Sequence, residues 1–387
     1  MQSRQAEKIL KQYSRQFRAL AIIGPRQSGK TTLVKKVFAR KPYISLEDPD
    51  ERMLAANDPK AFLSRFKNGA VIDEAQRVPE LFNYLQKIID STKKDGLFIL
   101  TGSNNFLLQQ NISQTLAGRI GYIDLLPLSH AETIQFENAP EHTNDFMLNG
   151  TYPELYDKNR KPGLWYPAYI RTYIERDVKQ IRNIENTLLF NRFIQLCAGR
   201  TAQQLNVAAL SIECGIDVKT VQAWLGVLVS SYIIYLLPPY HKNYNKRIVK
   251  TPKLYFIDTG LACTLLGIRQ VKELSTSHFR GALFENYVVM DVLKQKLNSG
   301  SPASLYYWKE NNGLEIDLLI DTEKKIIPVE IKAAETFAES HLKNIIHWNK
   351  ITGNSGGVLL YDGTAAYTRS DKIKIANWKT QTLNFKG

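Results

Sequence analysis

Only three of the 387 residues are cysteine, Cys197, Cys214 and Cys263, and they stand far apart with no paired spacing. That argues against a disulfide framework and a Cys-type zinc site, and fits a reducing compartment. The six histidines form no HExxH pair, which removes zincin chemistry. No apolar run reaches the ~20 residues that a bilayer crossing needs. The longest, Val227 to Leu237, is broken by Ser230 and Ser231. The amino terminus is charged and its apolar patch stops at Gly24, so it does not read as a signal peptide. A soluble, cytoplasmic protein without a membrane partner is expected.

What is present is ordinary for a globular chain. Hydrophobic residues make up 44% and charged residues 23%, which excludes a wholly disordered or fibrous protein. Against 37 acidic residues stand 51 Lys and Arg, and the net charge of +14 favours polyanions such as nucleic acid or an anionic membrane surface. At about 150 residues per domain, the length suggests two or three domains.

The most informative segment lies near the amino terminus. A strand-like run, Ala19 to Ile23, is followed by Gly24, Pro25, Arg26, Gln27, Ser28, Gly29, Lys30, Thr31 and Thr32, after which Leu33, Val34, Val37 and Phe38 recur at helical spacing. This is the pattern GxxxxGK[ST] between a strand and a helix, the context that a P-loop requires. Glycines let successive backbone N–H groups face a phosphate chain at a helix N-terminus. Lys30 would reach the β- and γ-phosphates and the Thr31 hydroxyl would hold Mg²⁺. Further apolar strands are expected at Tyr43–Leu46, Ala70–Ile72, Leu97–Leu100 and Tyr122–Leu125. The third strand runs into Asp73 and Glu74, where Asp73 would complete the metal shell and Glu74 would polarise the attacking water. Ser103 or Asn104, after the fourth strand, could sense the γ-phosphate, or serve only the turn. Arg119 could be an arginine finger, in cis or across a subunit interface, or a plain surface arginine. The alternation of strands and helices predicts a parallel sheet covered on both faces.

The middle of the chain reads differently. The polar stretch 140–161 carries the breakers Asn149-Gly150 and marks the end of the first domain. Farther on, Val207–Cys214 is a short helix and Gly215 a turn, with Asp217 as N-cap of a helix that buries Val221, Trp224, Leu225 and Leu228. Lys219, Thr220 and Gln222 fall largely off that face. Two strands, Tyr232–Leu237 and Lys253–Ile257, flank a loop bearing Lys242, Lys246, Arg247 and Lys250. Helix, turn, helix and a basic hairpin resemble a winged helix, which would serve either duplex DNA or protein contacts.

In the last third, Glu285 shares an apolar helix face with Val288, Val289 and Val292, a costly place for a carboxylate unless it is paired or metal-bound. Strand alternation puts Asp317 on the same face as Glu315, and Glu330 on the same face as Lys332. Two adjacent strands would bring Asp317, Glu330 and Lys332 together, either as a metal-dependent nuclease-type site or as salt-bridged outer faces.

Taken together, these motifs resemble the bacterial and archaeal ATPase family in which an AAA-type domain (AAA_14) precedes a DUF4143 region. The resemblance is carried by the loop 24–32, Ile72-Asp-Glu-Ala-Gln76, Leu100-Thr-Gly-Ser103, Leu116-Ala-Gly-Arg119, Tyr255-Phe-Ile-Asp-Thr-Gly-Leu261, Gly281-Ala-Leu-Phe-Glu285 and Pro328-Val-Glu-Ile-Lys-Ala333. It implies an α/β fold with a P-loop ATPase domain over 1–160, a helical linker and winged helix over 161–265, and a restriction-endonuclease-like domain over 266–387. On the PD-(D/E)xK pattern, Asp317, Glu330 and Lys332 match the acidic residue and the ExK element, and Glu285 matches the helix glutamate. Asn104 and Asn105 stand where serines are expected. The expected function is a Mg²⁺-dependent ATPase whose nucleotide state controls engagement of double-stranded DNA. The alternative is an ATP-gated signalling or interaction switch with a catalytically silent C-terminal domain. A second copy of the chain is a further candidate partner.

Overall fold

The structure is a computed structural model that describes residues 2–102, 108, 112, 115–178, 184, 186–240, 251–310 and 313–380. Ser103, Asn104, Lys242, Lys246, Arg247 and Lys250 lie outside the described residues. The chain divides into two compact units, the first made of 1–128 with 230–232 and 297–301, the second of 129–229, 233–296 and 302–387.

The first unit is built on five strands, β1 (Ala19–Ile23), β2 (Tyr43–Ser45), β3 (Ala70–Asp73), β4 (Phe98–Gly102) and β5 (Ile120–Asp124). They pair in the order β2-β3-β4-β1-β5, every ladder parallel. Each residue of β1 is buried, as the uninterrupted apolar run requires of a central parallel strand. Its alternate side chains serve two cores. Ala19, Ala21 and Ile23 pack with Leu81, Phe82, Leu85 and Ile89 of the helix Leu81–Ser91. Leu20 and Ile22 pack with Leu33 and Val34 of the helix Lys30–Val37 and with Ile9 and Leu10 of the helix Glu7–Tyr13. Because the strands run parallel, the segments that leave β1, β3 and β4 all emerge at one edge of the sheet, where doubly wound folds place their ligands. The sequence therefore folds as the expected α/β parallel sheet of a P-loop ATPase.

The second unit contains two further sheets. The helices Thr187–Ala198, Val207–Cys214 and Val218–Ser230 accompany an antiparallel sheet of β6 (Gln203–Gln204), β7 (Ile234–Leu237) and β8 (Lys253–Phe256), in the order β6-β8-β7. Asp217 caps the third helix, accepting the Thr220 N–H at 3.0 Å and its hydroxyl at 2.5 Å. The carboxyl-terminal sheet has β9 (Leu305–Lys309), β10 (Glu315–Asp321), β11 (Ile326–Lys332), β12 (Gly357–Tyr361), β13 (Tyr367–Thr368) and β14 (Ile373–Asn377), in the order β13-β14-β12-β11-β10-β9. The long helix Arg280–Asn298 precedes it, and the helix Lys343–Thr352 makes the crossover between the parallel strands β11 and β12. The polar stretch 140–161, read as a boundary, folds in part into the helices Thr143–Asn149 and Pro153–Asp157. Their apolar residues Phe146, Met147, Leu155 and Tyr156 are buried, a face that short, breaker-flanked segments conceal from a composition-based reading. Among the described residues, no helix is long and apolar enough to cross a membrane.

Close backbone approach fixes the entry to β3. Gly69 has φ +79°, and a Cβ there would sit 1.7 Å from the Leu97 carbonyl oxygen. Gly69→Ala should therefore lower stability by roughly 2 kcal/mol or more, read as a reduced denaturant midpoint. An unchanged midpoint would contradict this strand geometry.

Candidate active site

The loop after β1 is shaped by unusual backbone. Gly24 has φ +152°, and a Cβ there would meet the Leu125 carbonyl oxygen at 2.2 Å. Gln27 (φ +63°) and Gly29 (φ +91°) are left-handed, and Gly29 is the N-cap of the helix that begins at Lys30. The turn thus brings N–H groups to the positive end of a helix, an anion site by construction. Arg4 clamps this loop from outside, donating through Nη1 to the Ser28 carbonyl at 2.8 Å and through Nη2 to the Leu126 carbonyl at 2.9 Å.

The Lys30 side chain is only 6% exposed and folds back onto the loop, its Nζ donating to the Gly24 carbonyl at 2.9 Å and the Pro25 carbonyl at 2.7 Å. Burial pulls its pKa down to about 8, against the opposing pull of Glu74 and Asp73. The adjoining Ser28 hydroxyl is fully buried and has no hydrogen-bond partner among the described residues. A desolvated ammonium next to an orphaned hydroxyl is a polar cradle that an anionic ligand would satisfy, so the residues fit a nucleotide phosphate.

Asp73, at the end of β3, gathers the other polar groups. Its Oδ2 accepts the Thr31 hydroxyl at 2.9 Å and the Tyr43 hydroxyl at 2.5 Å. Its Oδ1 accepts the Thr101 hydroxyl, and the Glu74 N–H at 3.1 Å. Burial, together with the bond to Asp73, raises the Tyr43 pKa, so Tyr43 stays a neutral donor. Thr31 and Asp73 are hard oxygen donors in contact, the pair that would hold Mg²⁺ beside a phosphate. Glu74 has left-handed backbone (φ +54°) and accepts a hydrogen bond from Gln76 Nε2. Tyr43, Thr101, Gln76 and Arg4 escaped the sequence reading. Thr101 and Gln76 carried a signal, their places inside Leu100-Thr-Gly-Ser103 and Ile72-Asp-Glu-Ala-Gln76.

The remaining loop residues are placed as follows. Pro25 is buried, Arg26 half-buried, and Gln27 and Thr32 exposed. Arg119 is not brought to this edge. It precedes β5, whose Ile120 pairs with Ala19 at the start of β1, and its Nε bonds Asp90 Oδ1 at 2.5 Å. Parallel strands put that position at the opposite edge from Lys30, so Arg119 does not serve its own loop.

In the second unit, Lys219 and Gln222 are exposed and Thr220 half-buried, on the face opposite the buried Val221, Trp224, Leu225 and Leu228. The carboxyl-terminal residues do converge. Asp317 Oδ2 accepts the Ile331 N–H at 2.9 Å and Lys332 Nζ at 3.2 Å, and Lys332 Nζ lies 2.6 Å from Glu330 Oε2. Glu330 is fully buried, and burial raises its pKa. Glu285 Oε1 accepts from Lys253 Nζ at 2.9 Å and from the Tyr255 hydroxyl at 2.6 Å. Asp317, Glu330 and Lys332 thus meet as expected, while among the described residues no three His, Cys, Asp or Glu side chains are placed to hold a metal ion. Lysines, not open coordination positions, face these carboxylates.

Three family models match successive parts of the chain. Residues 16–134 match an AAA domain (AAA_14), 140–272 a domain of unknown function (DUF8612), and 280–380 a domain of unknown function (DUF4143). An uncharacterized protein of Mycobacterium tuberculosis is 30% identical over 319 residues, covering 81% of this chain and 70% of that protein. One from Methanocaldococcus jannaschii is 26% identical over 362 residues, covering 83% and 76%. Among solved structures, a Walker-type ATPase of Pyrococcus abyssi aligns with TM-score 0.45 and 14% identity, over 67% of this chain and 94% of that one.

The buried ammonium yields a stability test. Between its ordinary 10.5 and about 8, Lys30 gives up roughly 3 kcal/mol when it is charged in the folded protein. That penalty is complete below pH 8 and fades as pH rises toward 10.5, because the folded state then loses the proton first. Without nucleotide, Lys30→Met should be more stable than wild type at pH 7, by up to about 3 kcal/mol, and the gap should close by pH 10. Denaturant titrations across pH check this, and a less stable variant would contradict it.

Proposed function

The chain belongs to the family that joins an AAA domain to a DUF4143 domain, and from that premise we propose that it hydrolyses ATP with Mg²⁺ and that its nucleotide state controls engagement of double-stranded DNA. The observation that carries the ATPase reading is the convergence of Thr31, Asp73 and Lys30 at the carboxyl edge of the parallel sheet.

In this reading Lys30 leaves the Gly24 and Pro25 carbonyls for the β- and γ-phosphates, exchanging neutral acceptors for charged ones. The backbone N–H groups of the loop orient the phosphate chain. Bound by Thr31 and Asp73, Mg²⁺ would supply charge neutralisation at the phosphate oxygens. Tyr43 and Thr101 hold the Asp73 carboxylate in one orientation. Glu74 aligns the attacking water and takes its proton, and Gln76 sets the carboxylate from which it does so. Arg119 would reach a phosphate only on a second copy of the chain.

Three features support DNA as the partner: the net charge of +14, the exposed Lys219 and Gln222, and a basic segment holding Lys242, Lys246, Arg247 and Lys250, itself outside the described residues. We read the helices and antiparallel sheet around Val218–Ser230 as a winged helix, with this helix offered to a groove. A second reading, an interaction switch whose C-terminal domain docks without cutting, is favoured by the lysines paired to Glu285, Asp317 and Glu330.

Phosphate release with and without duplex DNA tests the proposal. Glu74→Gln should still bind ATP yet hydrolyse it at least ~100-fold more slowly, and wild-type turnover should rise with DNA. Equal rates in wild type and Glu74→Gln would remove Glu74 from the mechanism. Turnover indifferent to DNA would remove the DNA arm and leave the ATPase standing.

A further inference from the structure

Lys253 opens β8, paired in register with Leu237 of β7 and Gln204 of β6, in a sheet whose three strands carry no acid to pair with it. It is 2% exposed, and its Nζ sits between Glu285 Oε1 at 2.9 Å and Glu315 Oε1. Tyr255, two residues along and therefore on the same strand face, donates to the same Glu285 oxygen at 2.6 Å. Glu315 Oε2 is held in turn by Lys309 at 3.0 Å. Burial works against the charge of Lys253, but Glu285, Asp317 and Glu315 together keep it protonated.

These acids come from the two places where a metal-dependent nuclease sheet would hold its ligands, the helix Arg280–Asn298 and the strand β10, with Glu330 and Lys332 on β11 beside them. A divalent ion needs converging oxygens at about 2.0–2.6 Å and positions open to water. Here the converging point is filled by an ammonium, a compact cation with three donors that satisfies carboxylates but offers no Lewis acidity. The cation and the acids also belong to different sequence regions, Lys253 to the 140–272 match and Glu285 and Glu315 to the 280–380 match.

We infer that Lys253 is an internal substitute for the metal: it neutralises the acidic centre of the DUF4143 sheet, fastens the middle segment to that sheet, and leaves the domain unable to cleave phosphodiesters. The inference stands apart from the ATPase reading, because it concerns residues remote in sequence from the loop around Lys30.

Thermal unfolding of the full chain without nucleotide, with and without millimolar Mn²⁺, tests it alongside plasmid incubation in the same ion. Lys253→Met takes the shared ammonium from the half-buried Glu285 and Glu315, of which only Glu315 keeps a lysine, Lys309, so its unfolding midpoint should fall by roughly 5 °C, and Mn²⁺ should restore part of the loss. In a wild-type Lys253 background, any Mn²⁺ shift should be the same in Asp317→Asn, and plasmid should stay intact. If Lys253→Met does not fold, Lys253→Met with Glu285→Gln should recover folded protein, since cation and anion leave together; failure of that pair would overturn the charge-compensation account. A Lys253→Met protein that melts like wild type would overturn it too, as would plasmid cleavage by wild type that Asp317→Ala abolishes.

Discussion

A single buried ammonium sets the terms for the first unit. Lys30 can be held out of water only because Gly24 and Pro25 turn their carbonyls onto it, and that turn exists only because Gly24, Gln27 and Gly29 adopt backbone that most residues avoid. The desolvation of Lys30 is local, and a polyanion would offset it. The flanking core makes the arrangement affordable: β1 is buried along its whole length between two apolar layers, so the loop that leaves it has a rigid origin.

The acidic centres of the two units show how environment divides similar chemistry. At the edge of the first sheet, Asp73 is surrounded by hydroxyls and a backbone N–H, which position a carboxylate without neutralising it. In the carboxyl-terminal sheet, Asp317, Glu330, Glu285 and Glu315 are each in contact with a lysine. The first surrounding leaves an acid free to take a cation along with its ligand. The second has already supplied the cation from within the chain, which trades reactivity for attachment.

Much of this was legible in the sequence because it rests on local pattern. The run Ala19–Ile23 coincides with β1, Val207–Cys214 is a helix with the expected bounds, and Asp217 caps the helix that follows. Strand alternation correctly placed Asp317 beside Lys332 across β10 and β11. What escaped depends on contacts between residues distant in sequence. Tyr43 reads as an aromatic strand residue until β2 is seen beside β3, and Arg4 as surface charge until its guanidinium is seen on two loop carbonyls. Lys253 begins a strand of one sheet but neutralises acids of another, and no spacing rule links positions 253, 285 and 315. For Arg119, left open between a finger in cis, one across a subunit interface and a plain surface arginine, parallel pairing speaks only against the first, because it sends the residue to the far edge.

The most direct test of the account is a calorimetric titration of the full chain with ATP and Mg²⁺. It should show saturable uptake of one nucleotide per chain in wild type and none when Lys30 is replaced by methionine. No heat in wild type, or the same uptake by both proteins, would contradict the claim that the turn around Lys30 is built for a triphosphate.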